Sequence, residues 1–491
     1  TQEWTVRNEL LFAPGELVDP VKFADTEKNI WERGTFKDLK ILLEPVGESG
    51  DTINVQVIVQ ERFSWSISTS AQYNKAVVGV EFCNVAGMPQ SLEQKMAFNY
   101  RKDNPYTVYG GYEYDNIRHS HIDVMAEYQY ENLSKGADVA LIRNFFSSTC
   151  RWAGYVQGGL YRDLGSLPNP YAAAIPTNIY YNWQDIWLAT SMPFDEGLTG
   201  KNSALRWVVA GRLYRYQYLQ RPYKISEDGS QIFLNHSYIL GSVGLATWDY
   251  YVAQDVFSLH KSEYFSKGFN ASLIFGLDND EEYGQRFYSG VRLNCGNYFH
   301  GFGYLNSRIS YGGFSGQSGY NQLLLKISQR IFSETVQLGP KMRMRQIVSA
   351  SVNYGFRRPD DKLIAMNNYN GVRALYVNNI RGNRTYVLNF ENDFYANFKV
   401  LGFSSALFAF ADLALTQQKS YRGGQFDQAV GLGIRLRNLS LGIGYFEVSF
   451  VYYPHLDIPG FKPYTVTGTT DLTRGINPDN LFVAGGLSPD N

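Results

Sequence analysis

The sequence predicts a transmembrane antiparallel β-barrel preceded by one small α+β unit. Three observations predict it. From about Ser64 to Pro454 the chain reads as strand after strand, many of them longer than ten residues, against roughly five or six in soluble sheets. Apolar residues make up 44 % of the chain, yet the mean hydropathy is −0.29, so apolar and polar residues are interleaved. The 37 Tyr, 31 Phe and 46 Gly complete the pattern. A barrel wall needs an apolar outer face, a polar lumen and aromatics at both membrane interfaces.

Composition narrows the alternatives. A net charge of −1 over 491 residues gives no basic excess for nucleic acid. No run of about 18 apolar residues exists, which excludes a helical membrane span. The N-terminus shows no basic region followed by an apolar core, so no signal peptide is read there; an exported chain would have lost one. Cys83, Cys150 and Cys295 are odd in number and far apart. They match neither a disulfide framework nor a metal spacing and read as three packed thiols.

The N-terminal unit, residues 1–63, reads as β-α-α-β-β. Glu3 to Phe12 alternates like a strand. Asp19-Pro20 starts a helix, with Asp as cap and Pro at the first position. A second helical pattern runs from Thr26 to Arg33 and stops at Gly34. Strands follow over Asp38–Val46 and Thr52–Phe63, the latter with Ile53, Val55, Val57 and Val59 on one face. The expected core is Val6, Leu10, Phe23, Ile30, Ile41, Leu43, Val55 and Val57.

The barrel segment, residues 64–454, shows period-two alternation. In Ala429–Arg437, Val430, Leu432, Ile434 and Leu436 oppose Gly431, Gly433, Arg435 and Arg437. Apolar residues outward with Arg and Gly inward fit a lumen wall. Strand count by pattern is sixteen to nineteen. Long insertions are read at Gly165–Thr177, Pro222–Ser230 and Pro359–Gly382. Residues 455–491 are rich in Gly, Pro, Asp and Thr and read as an irregular tail, ordered only by contact.

The residues bearing chemistry lie late in the chain. The long loop carries Asn370-Gly371-Val372-Arg373-Ala374-Leu375. The next strands read Gly382-Asn383-Arg384 through Glu391, then Phe408-Ala409-Phe410-Ala411-Asp412-Leu413-Ala414. An arginine folded into a lumen is costly unless paired, and an inward carboxylate such as Asp412, or Glu391, would pair it. The plainer reading is that both charges are solvated. Strict alternation puts Phe408, Phe410 and Asp412 on one face, and a loop packed over them would cover the rings and satisfy the charge. His119 and His121 could be zinc ligands but have no third partner. Leu277–Glu282 could hold calcium but reads as a solvated hairpin end. Gly442-Ile443-Gly444 follows a strand and is no nucleotide loop. No metal, cofactor or covalent catalysis is expected.

These motifs resemble the superfamily of BamA and the two-partner-secretion transporters. There a V-R-G-F/Y loop precedes a strand ending in Glu and a strand reading F-x-D-x-G. The N-terminal unit resembles that superfamily's POTRA domain, and Glu81-Phe82-Cys83-Asn84-Val85-Ala86-Gly87 resembles the end of its first barrel strand. Two positions depart: Ala374 and Ala414 stand where the pattern has glycine, which permits close approach or unusual dihedrals. The resemblance implies sixteen strands, an outer-membrane location with the N-terminal unit in the periplasm, and a loop lock of Arg373, Asp412, Glu391 and Gly371. It implies a seam between a first strand near Tyr73–Val85 and a last strand near Leu441–Tyr453. It implies work on unfolded outer-membrane or secreted polypeptides, in contact with membrane lipid and partner subunits. A secretion pore for one exported partner, a non-catalytic scaffold subunit and a plain porin stay open as alternatives.

Overall fold

In the computed structural model one closed antiparallel barrel accounts for most of the chain. The structure describes residues 2–469, apart from 34–35, 47–51, 62, 72–74, 101–105, 132–133, 168–174, 195–204, 222–232, 248, 257–258, 260–261, 317–318, 360–361, 367–370, 376–379, 419–423, 439–445 and 456–461. Barrel strands that follow one another along the chain pair with one another around the wall, and the last strand, Tyr464–Thr469, pairs with the first, Trp65–Ala71.

The barrel has 20 strands, not sixteen. Segments Gly319–Ser333 and Val336–Gly339 share one place in the wall, since both pair with Met342–Phe356. The undercount has local causes. Ser134–Arg143 carries Gly136, Ala137 and Ala140, which blur its alternation. Only two residues separate Gly303–Gly316 from Gly319–Ser333. Residues 152–167 and 175–193 are strands that run into the stretch read as an insertion. The closing strand Tyr464–Thr469 lies within the expected irregular tail, of which residues 470–491 fall outside the described residues. The seam therefore sits between Trp65–Ala71 and Tyr464–Thr469, one strand outward on each side from the expected pair.

The wall's two faces differ as a membrane requires. Val139, Leu188, Ile239, Leu273, Leu407 and Leu432 point outward and are more than half exposed. Such a belt in water would be an aggregation surface; around a barrel it is the lipid-facing band. Aromatics ring both rims, Trp65, Phe82, Trp152 and Phe302 at one, Tyr100, Tyr106, Tyr320 and Tyr464 at the other. Inward positions carry buried charge in pairs, such as Arg212 with Asp185 at 2.6 Å and Arg286 with Asp278 at 2.5 Å. Cys83 and Cys150 are buried, but Cys295 is exposed on the outer face and is not packed.

The N-terminal unit departs from the expected order. Residues Glu3–Glu9 form a helix, α1, not a strand. Its buried residues are Thr5 and Glu9, one helical turn apart and polar, so the apolar alternation misled. Pro20–Arg33 is one continuous helix, α2, and the Asp19 carboxylate caps it by accepting from Val21 N at 2.9 Å. Strands β1 (Phe36–Val46) and β2 (Thr52–Glu61) form a two-stranded sheet, with Ile53, Val55, Val57 and Val59 half-buried on one face. Ile30 is buried, while Leu43 is exposed and the rest of the expected core is half-buried. The order among the described residues is α-α-β-β.

Both helices dock on the barrel rim, called here the near end. Thr5 Oγ1 donates to Gly87 O at 2.9 Å, and Asn116 Nδ2 donates to Glu9 at 2.9 Å. Asp25 accepts from Ser148 N at 2.9 Å and from its hydroxyl at 3.1 Å. An inserted hairpin, Tyr250–Gln254 with Ser262–Ser266, folds inside this end. Inward-facing wall residues hold it. Arg345 donates to Gln254 O at 3.0 Å and to Asp255 O at 2.5 Å, and Tyr304 donates to Ser266 O at 2.6 Å. Trp31 of α2 packs on Tyr264, and Lys28 lies over the Tyr250 ring. Helix and hairpin together cover this part of the lumen.

Candidate functional site

Strand Phe403–Gln417 lays the floor of the site. Its burial alternates, which puts Phe408, Phe410, Asp412 and Ala414 together on the lumen face. The two rings lie stacked, 6.1 Å apart. They fit because the adjoining strand, Gly424–Arg437, offers Gly431 and Gly433. A Cβ at either position would come within 2.4 Å of a ring carbon. Each ring in turn carries a cation: Arg373 stands 4.1 Å from the Phe410 centroid and Arg435 stands 4.0 Å from that of Phe408.

Arg373 arrives from the long loop. Its backbone N donates to Asp412 at 2.9 Å and its Nε donates to the same carboxylate at 3.0 Å. Its Nη1 donates to Glu391 and its Nη2 to Phe390 O at 3.3 Å. The Asp412 side chain is fully buried. The Gly371 carbonyl accepts from Asn389 Nδ2 at 3.1 Å, and the Arg373 carbonyl accepts from the Tyr453 hydroxyl at 3.1 Å. Beside these charges Val372 and Leu375 sink into an apolar seat with Met366, Ile380, Val387 and Val451. The loop is thus held by a charged pin and a greasy seat. Asn370 lies outside the described residues.

The two glycine departures behave differently. Ala374 has φ +57°, the left-handed region, so the loop adopts the glycine-like backbone with an alanine. That conformation costs an L-residue about 1–2 kcal/mol, and the pin and seat offset it. Ala414 sits buried in regular pairing with Val387 and Asp427 and requires nothing unusual.

Residues not singled out in the sequence extend the site. Arg435 reaches Glu391 at 2.5 Å, Asp393 at 2.6 Å and Glu447 at 3.0 Å. Tyr395 donates toward Asp393 at 3.2 Å and lies 3.3 Å from Val256 O in the inserted hairpin. One hydrogen-bonded chain therefore runs from the loop, through Glu391, Arg435, Asp393 and Tyr395, to the near-end hairpin. A signal existed: Glu391, Asp393 and Tyr395 are two apart and must share a face, and Arg435 was already placed inward. What the sequence did not give was the neighbourhood of their strands.

The remaining candidates fall apart. His119 and His121 occupy a tight turn rather than a strand, and His121 stacks on Phe146 at 3.7 Å. Asp278 is spent on Arg286 and His236, and Glu281 on Arg221. No group able to hold a metal occurs among the described residues.

No family model matches the sequence, and no curated protein matches it. The comparison with solved structures does find matches. BamA from Haemophilus ducreyi lacking POTRA domains 1–3 is 13 % identical, with 96 % of this chain and 82 % of that chain covered at a TM-score of 0.35. CdiB from Acinetobacter baumannii is 12 % identical, with 95 % and 70 % covered at 0.45. CdiB from Escherichia coli is 10 % identical, with 95 % and 73 % covered at 0.45.

Proposed function

We propose that this protein is an outer-membrane barrel that guides extended polypeptides into or across the membrane by mechanical means. The observation that carries the reading is the pinned loop. Arg373 is tied to Asp412 and Glu391, and its carbonyl to Tyr453, which directly follows strand Phe446–Tyr452. That strand is the neighbour of the closing strand. Release of the pin would therefore loosen the wall beside the seam.

The wall near the seam is also low. Strands from Trp65–Ala71 to Ser134–Arg143 have 7 to 10 residues, while Trp152–Leu167 and Ile175–Pro193 have 16 and 19. At about 3.3 Å per residue, the seven residues of the first strand span roughly 23 Å before tilt, less than the ~25 Å apolar band of such barrels. A low wall thins the bilayer locally, and an opened strand edge there can template a client strand. The β1–β2 sheet, acting as a POTRA-like module in the periplasm, would offer its edge to the same client.

A secretion pore is the second reading, favoured by the inserted hairpin, which has the place of a plug. Depletion in the native host followed by outer-membrane proteomics tests both. Broad loss of barrels is the expected result, loss of one exported protein selects the pore, and an unchanged membrane overturns both.

A further inference from the structure

Among the described residues, the apolar belt of the outer wall is interrupted beside strand Gly284–Phe299. Along strand Gly284–Phe299 the outward positions include Phe287, Ser289, Val291 and Leu293, and Ser289 is the smallest of these four. Its partner on the next strand is Gly313. A Cβ on Gly313 would meet Leu323 at 2.7 Å, so Leu323 lies flat across the glycine. Small residues in a belt of large ones leave a depression. Tyr311 forms one wall of it. Tyr354 and Phe356, with ring centroids 4.1 Å apart, form the other. The cavity measures about 680 Å³, within the range of small-ligand sites.

Two arginines crown it at the rim away from the N-terminal helices. The Arg384 guanidinium lies 4.1 Å over the Tyr354 ring. Arg357 has φ +48° and donates to Tyr320 O at 3.3 Å. Both residues are exposed and line the cavity, and neither meets a carboxylate among the described residues. Two exposed guanidiniums above a greasy groove, on a wall facing lipid, match one chemistry: an anionic headgroup above a hydrocarbon chain. Arginine forks suit phosphate oxygens, and ring faces hold the guanidiniums in place.

We propose that this groove binds one lipid whose phosphate-bearing headgroup has a net negative charge, the phosphate between Arg357 and Arg384 and an acyl chain along Ser289, Gly313 and Leu323. The inference rests on the barrel spanning a membrane and is independent of what the barrel transports.

The test uses the full chain reconstituted in vesicles of phosphatidylcholine with about one-tenth phosphatidylglycerol. Insertion is first scored by protease protection, and retained lipid is then counted by native mass spectrometry. Wild type should keep one phosphatidylglycerol in preference to phosphatidylcholine. Arg357→Ala with Arg384→Ala should lower that preference roughly tenfold, the scale of one charge-assisted contact. Ser289→Phe, which fills the floor and keeps both charges, should lower it as well, while Arg→Lys at both sites should retain much of it. Inorganic phosphate should fail to displace the lipid. Equal retention of both lipids, indifference to these variants, ready displacement by inorganic phosphate, or a dimer that Ser289→Phe abolishes would each overturn the proposal. Failure of wild type to insert at all would overturn the membrane reading itself.

Discussion

At the residue scale the pin decides whether the loop stays inside. Arg373 and Arg435 bring two positive charges to four carboxylates, Asp412, Glu391, Asp393 and Glu447. Removing the Arg373 guanidinium takes from the fully buried Asp412 the cation that the structure places on it, while Glu391 keeps Arg435; breaking a buried pair costs about 3–5 kcal/mol, whereas an exposed pair is worth under about 1. Arg373→Ala should therefore free the loop while the barrel persists. Protease cleavage within 359–382, with unchanged heat-modified migration of the barrel, is the expected readout; an uncut loop would refute the pin. Ala374→Val tests the backbone separately, because a β-branched residue at positive φ is severely disfavoured. It should free the loop with every charge intact. Another residue reports on pH. Burial pushes the Asp25 carboxyl above the ordinary aspartate range, against the opposing bonds from Ser148 and the charge of Lys28. A raised value in the folded state means the docked helix holds its proton more tightly than the undocked one. Docking of α2 should thus be strongest below the ordinary aspartate range and weaken as pH rises through the raised value. Melting curves of wild type and Asp25→Asn between about pH 4 and 7 should diverge in that direction, and parallel curves would contradict it.

At the scale of elements, the inserted hairpin is the piece to move. It is fixed by Arg345, Tyr304 and Tyr395, all from inward positions of different strands. Arg345→Ala removes two of these hydrogen bonds, roughly 1.5–3 kcal/mol each for a charged donor, and should raise conductance across planar bilayers; an unchanged conductance would deny the hairpin a plugging role. This hairpin was invisible in the sequence. Tyr250–Gln254 and Ser262–Ser266 are short and carry aromatics, and both fall within the segment read as the barrel wall. The helix α1 failed for a related reason: its anchors are Thr5 and Glu9, and polar anchors carry no hydrophobic period. By contrast the long strands around Asp412 and Arg435 were legible, because lipid outside and charge inside write a period of two into them. For the Arg373–Asp412 pair, chemistry left two readings open, paired or solvated, and the ordered motifs of the resemblance favoured the pair that the structure shows.

At the scale of the whole molecule, an even number of strands returns the chain to the end where it entered. The closing strand therefore runs antiparallel to the first and points toward the rim that carries the N-terminal helices. The described contact across the seam is two residue pairs, Gly468 with Ala71 and Thr469 with Ser70. If clients enter the bilayer through this seam, fixing it must stop them. Directly paired positions in an antiparallel ladder have Cα atoms about 4.5–5.5 Å apart, which a disulfide spans without strain. Ala71→Cys with Gly468→Cys should cross-link on oxidation, in a Cys295→Ser background that removes the exposed native thiol. The oxidised protein should remain a folded barrel and lose the proposed assembly of client barrels in proteoliposomes, and reduction should restore it. A lumen route predicts the opposite result, because cargo passing through the pore does not need the wall to part. Full activity of the oxidised form would therefore remove the seam from the mechanism and leave the hairpin-plugged lumen as the path.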